Sequence, residues 1–351
     1  MQLIDLSKQI MHMRLHAVAL LVFGLLLSCT KGEDVTGDAE DMLSRSAHWL
    51  WSVQAADGGW HSDMHGILQG GQAYTPYVLN ILLAIPDSIY KKDPEKRQRG
   101  LDYIRRHVNK EGILGLSDPD VMEYPNYSTA YALRVLFLYG DESDKGLIVK
   151  MQEYLAGQQF DDTRGISTVH PAYGGWGFGE ITLPEGGVGH LDISHTRRVL
   201  EALRISGYDN PEIYSKARIF LNYVQKSPGD DRPQPNADSL DQRRSFYDGG
   251  FYYSPVILGA NKAGMYEGDD SLRPYIRSYV TATSDGLLSL LAAGFDLDSR
   301  SVQDAIAYLE KYPALDNPGA IPDEDPMEWD LVMVLYHLNV RSQVNYQINA
   351  G

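Results

Sequence analysis

Three side chains in this 351-residue chain stand where proton chemistry would need them: His190, Asp192 and His195, in the run Gly189-His190-Leu191-Asp192-Ile193-Ser194-His195. Imidazole is the side chain whose ordinary pKa lets it take and release protons near neutrality. A carboxylate three residues before a histidine shares its face once the segment is helical. The spacing therefore admits three uses. Asp192 could cap a helix while His195 packs against a neighbouring tyrosine, the two could form an acid/base pair, or they could contribute ligands to a metal. Residue types alone leave all three open, and Asp192, His195 and His190 are the candidate catalytic residues.

The other carboxylates read as structure. Asp161-Asp162, beside Thr163 and Arg164, reads as a solvated turn, and Asp296 and Asp298 as surface. Asp323-Glu324-Asp325 reads as negative charge ahead of a helix, where the helix dipole favours it. The chain contains no glycine-rich phosphate cradle, no nucleophile elbow and no His-Glu-x-x-His pair, so no cofactor and no metal is expected. Cys29 is the only cysteine. That excludes an intramolecular disulfide and leaves no thiolate in the body of the chain for zinc or nucleophilic chemistry. A formal net charge of −16 opposes a phosphate backbone, so nucleic acid is not an expected partner.

The N-terminus reads as an export signal. From Met13 come Arg14 and His16, an apolar run from Ala17 to Leu27, then Ser28-Cys29. A basic start, a short apolar stretch and a small-residue site make a signal peptide, and the run falls short of the ~20 residues that cross a bilayer. Leu26-Leu27-Ser28-Cys29 resembles the lipobox of bacterial lipoproteins, which implies lipidation of Cys29, anchoring to a membrane and a place in the cell envelope. Residues 1–28 are then the signal peptide, 29–42 a polar tether and 43–351 one domain.

That domain must position the candidate residues, and its pattern is repetitive. A hydrophobic content of 43% allows a large core, and one sentence recurs about five times: an amphipathic helix, a glycine-aromatic loop, a second helix rich in Ala and Leu. The spacing predicts helix pairs at Leu43–Gln54 and Thr75–Ala84, Arg99–Val108 and Ser128–Tyr139, and Ile148–Gln159 and Ser194–Ile205. Two further pairs follow at Tyr214–Gln225 and Ser284–Ala293, and at Val302–Tyr312 and Met327–Asn339. Pieces such as Gly250–Ser254 could be extended, but no alternation is long enough for a sheet. Helix pairs with exposed apolar faces must stack, into an open solenoid or a closed ring.

Gln54-Ala55-Ala56-Asp57-Gly58-Gly59-Trp60 resembles the QW motif of squalene and oxidosqualene cyclases. A degenerate copy joins Gln158 or Gln159 to Gly174-Gly175-Trp176, and the fourth unit keeps Gly249-Gly250-Phe251. With the helix pairs, the resemblance spans roughly Ser44 to His337. It implies an all-α fold, the α/α toroid shared by terpenoid cyclases and protein prenyltransferases, in which helix pairs form a double ring. It further implies a cavity lined near the starts of the inner helices by Tyr74, Tyr124, Tyr127, Tyr279, Thr281, Asp285 and Trp329, together with His190, Asp192 and His195. Trp176 and Tyr252 of the glycine-aromatic loops join Tyr74, Tyr127, Tyr279, Asp285 and Trp329 as expected ligand contacts.

The family's chemistry does not carry over. Class II cyclases protonate an alkene with the middle aspartate of Asp-x-Asp-Asp-Thr-Ala, and Asp192-Ile193-Ser194-His195-Thr196 aligns with that pattern, placing Ser194 at the donor. A serine hydroxyl is far too weak an acid for that step. Prenyltransferases hold zinc with an Asp and a Cys two residues on, and Asp248-Gly249-Gly250-Phe251-Tyr252 resembles that stretch with Gly250 replacing the cysteine. Three functions remain: binding of an isoprenoid or other apolar small molecule, work on cell-surface glycans as a binder or polysaccharide lyase, and a non-catalytic scaffold.

Overall fold

A computed structural model describes residues 35–64, 66–118, 120–179, 183, 186–235, 246–268, 275–322 and 327–350. The expected signal peptide, the lipobox with Cys29 and the acidic run 323–325 lie outside them.

The architecture of these residues is all-α, made of helix pairs of the kind that an α/α toroid stacks. In chain order the helices are α1 (Val35–Ser52), α2 (Tyr74–Ala84), α3 (Pro94–His107), α4 (Pro125–Tyr139), α5 (Lys145–Gly157) and α6 (Ile193–Ile205). They continue with α7 (Pro211–Val224), α8 (Val280–Ala292), α9 (Arg300–Glu310), α10 (Trp329–Val332) and α11 (Val334–Ala350). The strand pairing among the described residues is one short antiparallel ladder, β1 (Met265–Tyr266) against β2 (Tyr275–Ile276), not the expected extended piece at Gly250–Ser254.

Two boundaries differ from expectation. Helix α1 begins at Val35, so the end of the expected tether is helical: Asp38 suits the positive end of the helix dipole, and Asp41 pairs with Arg45 one turn on at 3.0 Å. The last helix breaks after Val332 and runs on to Ala350, with Glu328 ahead of α10 in the left-handed region at φ 48°. The described residues fall into two compact units, one running to Met151 and the other from Gln152. A repeated pattern identifies the building block, not how many blocks share one core.

Helix starts follow local chemistry. Asp93 accepts from the backbone N–H of Glu95 at 2.8 Å and of Lys96 at 3.3 Å, Pro94 follows it, and Arg105, Arg106 and His107 close α3 at its negative end. Asn210 and Pro211 start α7 in the same way. Helices α2 and α8 are mostly apolar and buried accordingly: α8 packs against α6, α7, α9 and α11 in the second unit, and α2 against α3 and α4 in the first.

The loops repeat a common set of bonds. Trp60, Leu114, Trp176 and Phe251 each donate their backbone N–H to a threonine in the first turns of the following helix, Thr75, Thr129, Thr196 and Thr283, at 2.9–3.0 Å. The indole N–H of Trp60 goes to Leu50 O at 2.8 Å, and that of Trp176 to Leu155 O at 2.7 Å. Gly58 and Gly174 hold φ at 93° and 89°, and a Cβ on either would strike a carbonyl of the next outer helix, at Arg99 and Lys216.

The glutamines do more than tie a helix to its own loop. The Gln54 amide donates to Gly58 O at 2.9 Å and to Lys96 O at 3.0 Å, the second belonging to α3. Of the two candidates in the third unit, Gln159 takes this role, donating at 2.9 Å to both Gly174 O and Ile213 O. The fourth unit keeps the glutamine as well: Gln225 donates to Gly249 O at 3.1 Å and to Ser301 O at 2.7 Å.

Candidate functional site

The start of α6 builds the site. Asp192 is the N-cap, in extended conformation at φ −158°, and none of its side chain is exposed. One oxygen, Oδ1, accepts the backbone N–H of His195 at 2.8 Å. The other, Oδ2, lies 2.8 Å from His195 Nδ1 and accepts the Tyr253 hydroxyl at 3.0 Å. His190 Nε2 stands 3.6 Å from the same oxygen and 3.3 Å from the Tyr253 hydroxyl. Phe178 stacks on His190 with centroids 4.0 Å apart and tilts over His195 at 4.6 Å.

One carboxylate oxygen therefore caps the helix, and the other orients the imidazole of His195. An ionised carboxylate only accepts, so His195 carries its proton on Nδ1 toward Asp192. Burial pushes the Asp192 carboxyl up, but the fields of His195 and His190 and the hydrogen bonds from His195 outweigh it and hold the group below the usual carboxylate range. Asp192 is thus a fixed anion that orients partners, not an acid. His195 packs on Phe178 where a tyrosine was expected. Among the described residues no group of three or more His, Cys, Asp or Glu is placed to hold a metal ion.

Aromatic and cationic groups from later in the chain close around this start. Burial and the adjacent Asp192 push the Tyr253 phenol well above its ordinary pKa, so it stays a donor. The ammonium of Lys262 lies 4.5 Å from the Tyr253 ring centroid and 4.7 Å from that of Trp329, and donates to Ala260 O at 2.7 Å. Burial lowers the pKa of Lys262, with Asp192 opposing. On α8, Asp285 accepts from Arg197 Nη1 at 2.9 Å and from the Tyr336 hydroxyl at 2.6 Å. Ser194 Oγ sits 3.0 Å from that hydroxyl. Tyr279, the residue before α8, is buried, and burial, then Asp285 and Asp192, raise its phenol.

His190, Asp192, His195, Tyr279, Asp285 and Trp329, all expected site residues, belong to this cluster. Trp176 and Tyr252 do not: both are wholly buried, the first bonded to Leu155 and the second donating its hydroxyl to Gln234 Oε1 at 3.1 Å. Of this adjacent pair it is Tyr253 that reaches Asp192. Asp161 is likewise buried, where a solvated turn was expected, and pairs with Lys216 at 2.7 Å. Tyr74 and Tyr127 belong to the first unit. There, half-buried Tyr127 lies 5.0 Å from Tyr131, which meets Tyr77 at 5.1 Å, and Tyr124 adopts φ 46° just before α4.

Sequence reasoning missed Tyr253, Lys262, Tyr336 and the arginines of α6. The neighbouring pair Arg197-Arg198 was the available signal, because two cations on a helix otherwise rich in apolar residues need buried partners.

No family model matches the chain. Among solved structures it is similar to a type II terpene cyclase from Scytonema in complex with its product merosterolic acid A, at 13% identity and a TM-score of 0.49, over 95% of this chain and 86% of that one. A likeness of this size assigns no activity.

Proposed function

We propose that the second unit binds an isoprenoid or other ligand with an apolar body at the starts of α6, α8 and α10, and that Asp192 and His195 form its proton-handling pair. The observation that carries this reading is the convergence on Asp192 of His190, His195 and Tyr253, ringed by Phe178, Lys262 and Trp329. Aromatic walls around a few fixed polar groups are the usual make-up of a small-molecule site. Protonation of an alkene in the cyclase manner is not part of the proposal. Ser194 stands at the donor position and Asp192 is held ionised, which leaves His195 as the group to move a proton.

In this reading the protein is a lipid-anchored component of the cell envelope that keeps its ligand close to the membrane. Cys29→Ser is expected to move the protein from the membrane fraction to the soluble fraction of its host and to abolish metabolic labelling with a fatty acid. Retention in the membrane with unchanged labelling would refute the anchor.

The ligand itself is tested by native mass spectrometry of the protein extracted from its host membrane. A co-purifying apolar molecule is expected in the wild type, with occupancy at least about 10-fold lower in Trp329→Ala, as for a well-packed aromatic contact. A spectrum without adducts, together with glycan-array binding that depends on His195, would replace this reading with the glycan one, which the His195, Tyr253 and Lys262 grouping would also serve.

A further inference from the structure

Lys262 puts a tethered positive charge between two aromatic faces. Its Nζ lies 4.5 Å from the Tyr253 centroid and 4.7 Å from that of Trp329, and one of its protons goes to Ala260 O at 2.7 Å. The faces of Tyr and Trp rings are negative and attract cations. The ammonium of the chain therefore fills the place that the positive head of a ligand would otherwise take.

Resting on the apolar-ligand reading above, we propose that Lys262 sets the charge selectivity of the site: the ligand is an amphiphile with an anionic end, a carboxylate or phosphate on an apolar body, and cationic heads are refused.

The surrounding charges are arranged to allow this. Asp192 is the carboxylate whose field acts on Lys262, yet it has no exposed surface and both its oxygens are engaged by His195, with Tyr253 added on one of them. Asp285 is occupied by Arg197 and Tyr336, with Arg198 a further 3.7 Å away. Lys262, Tyr253 and Trp329 are by contrast all half-buried, so the caged cation belongs to a partly accessible surface. Among the described residues, an anion approaching there meets a positive group that Asp192 and Asp285 do not cover.

The test compares three probes of equal chain length, dodecanoate, dodecanol and dodecyltrimethylammonium, below their micelle concentrations, by calorimetry on the full chain. Dodecanoate is expected to bind at least about 10-fold more tightly than the trimethylammonium probe, with dodecanol between them, as one charge-assisted contact would produce. Lys262→Met should erase that order while dodecanol affinity stays within about 2-fold, and Lys262→Arg should keep it, because both charge and ring stacking survive in arginine. Inorganic phosphate at millimolar concentration should not displace dodecanoate; if it does so at full strength, the head alone is the ligand and the amphiphile is wrong. Equal affinities for the three probes, or an order unchanged in Lys262→Met, would overturn the role of Lys262 while leaving the apolar site standing. Failure of all three to bind would remove the apolar reading itself.

Discussion

Trp176→Ala is expected to lower the unfolding free energy by about 3–5 kcal/mol, the range for emptying the site of a buried aromatic ring. No part of Trp176 is exposed, and its indole N–H is donated to Leu155 O at 2.7 Å, so the substitution opens a cavity and removes the shorter of two hydrogen bonds to that carbonyl, which keeps the Gln158 N–H at 3.3 Å. Trp176→Phe separates the two losses. It refills most of the space but cannot donate, and should cost about 1–2 kcal/mol, the usual range for one buried hydrogen bond. Denaturant unfolding of the two variants measures both numbers. If Trp176→Ala unfolds within about 1 kcal/mol of the wild type while losing ligand, the residue is a binding contact after all and its structural role here is wrong.

Removing the Asp192 carboxylate is expected to produce a loss of similar size, about 3–5 kcal/mol in Asp192→Ala, because a buried charged acceptor disappears and its donors keep their desolvation cost. His195 N–H, His195 Nδ1 and the Tyr253 hydroxyl all depend on it. Asp192→Asn keeps an oxygen for the cap and should lose less, about 1–2 kcal/mol, yet its amide N–H faces His195 Nδ1 and forces the imidazole into the other tautomer. Binding and any turnover should therefore fall in the Asp192→Asn variant even where folding survives, a split that a merely structural cap would not show.

The pH dependence of this loss has a definite sign. The Asp192 carboxyl is held below its unfolded pKa of ~3.9, so the stability it contributes is complete above that value and is lost as pH falls through the lower, folded one. The gap between wild type and Asp192→Asn should stay level from neutrality down to about pH 4 and narrow below it. A gap that widened on acidification would mean that Asp192 is protonated in the folded protein, and the proton-handling pair would have to be redrawn.

How much of this was legible in the sequence follows from the range of each interaction. The helix pairs were legible because a buried second helix such as α8 must be apolar over most of its surface, and a capped start such as Asp93-Pro94 is written in adjacent residues. Asp192 and His195 were legible for the same reason, being one turn apart. Tyr253, Lys262 and Tyr336 were not, since they reach Asp192 or Asp285 across 61 and 51 residues in the contacts of Tyr253 and Tyr336, and nothing periodic marks them. The choice of Tyr252 over Tyr253 missed by one residue, in an irregular loop that no periodicity marks. The recurring threonines escaped notice because their distance from the loop they hold varies, 15 residues for Trp60 and Thr75 but 32 for Phe251 and Thr283.

The glutamine amides show the same independence from spacing. Gln54 meets its loop glycine 4 residues away, Gln159 meets Gly174 after 15 and Gln225 meets Gly249 after 24, with bond lengths that barely change. Geometry is therefore preserved at the two anchor points, while the stretch of chain joining them is a spacer whose length costs little. Such a joint tolerates new sequence where a tight turn would not, which makes these spacers the natural places for the scaffold to acquire, by insertion, surfaces that its stacked helices do not themselves provide.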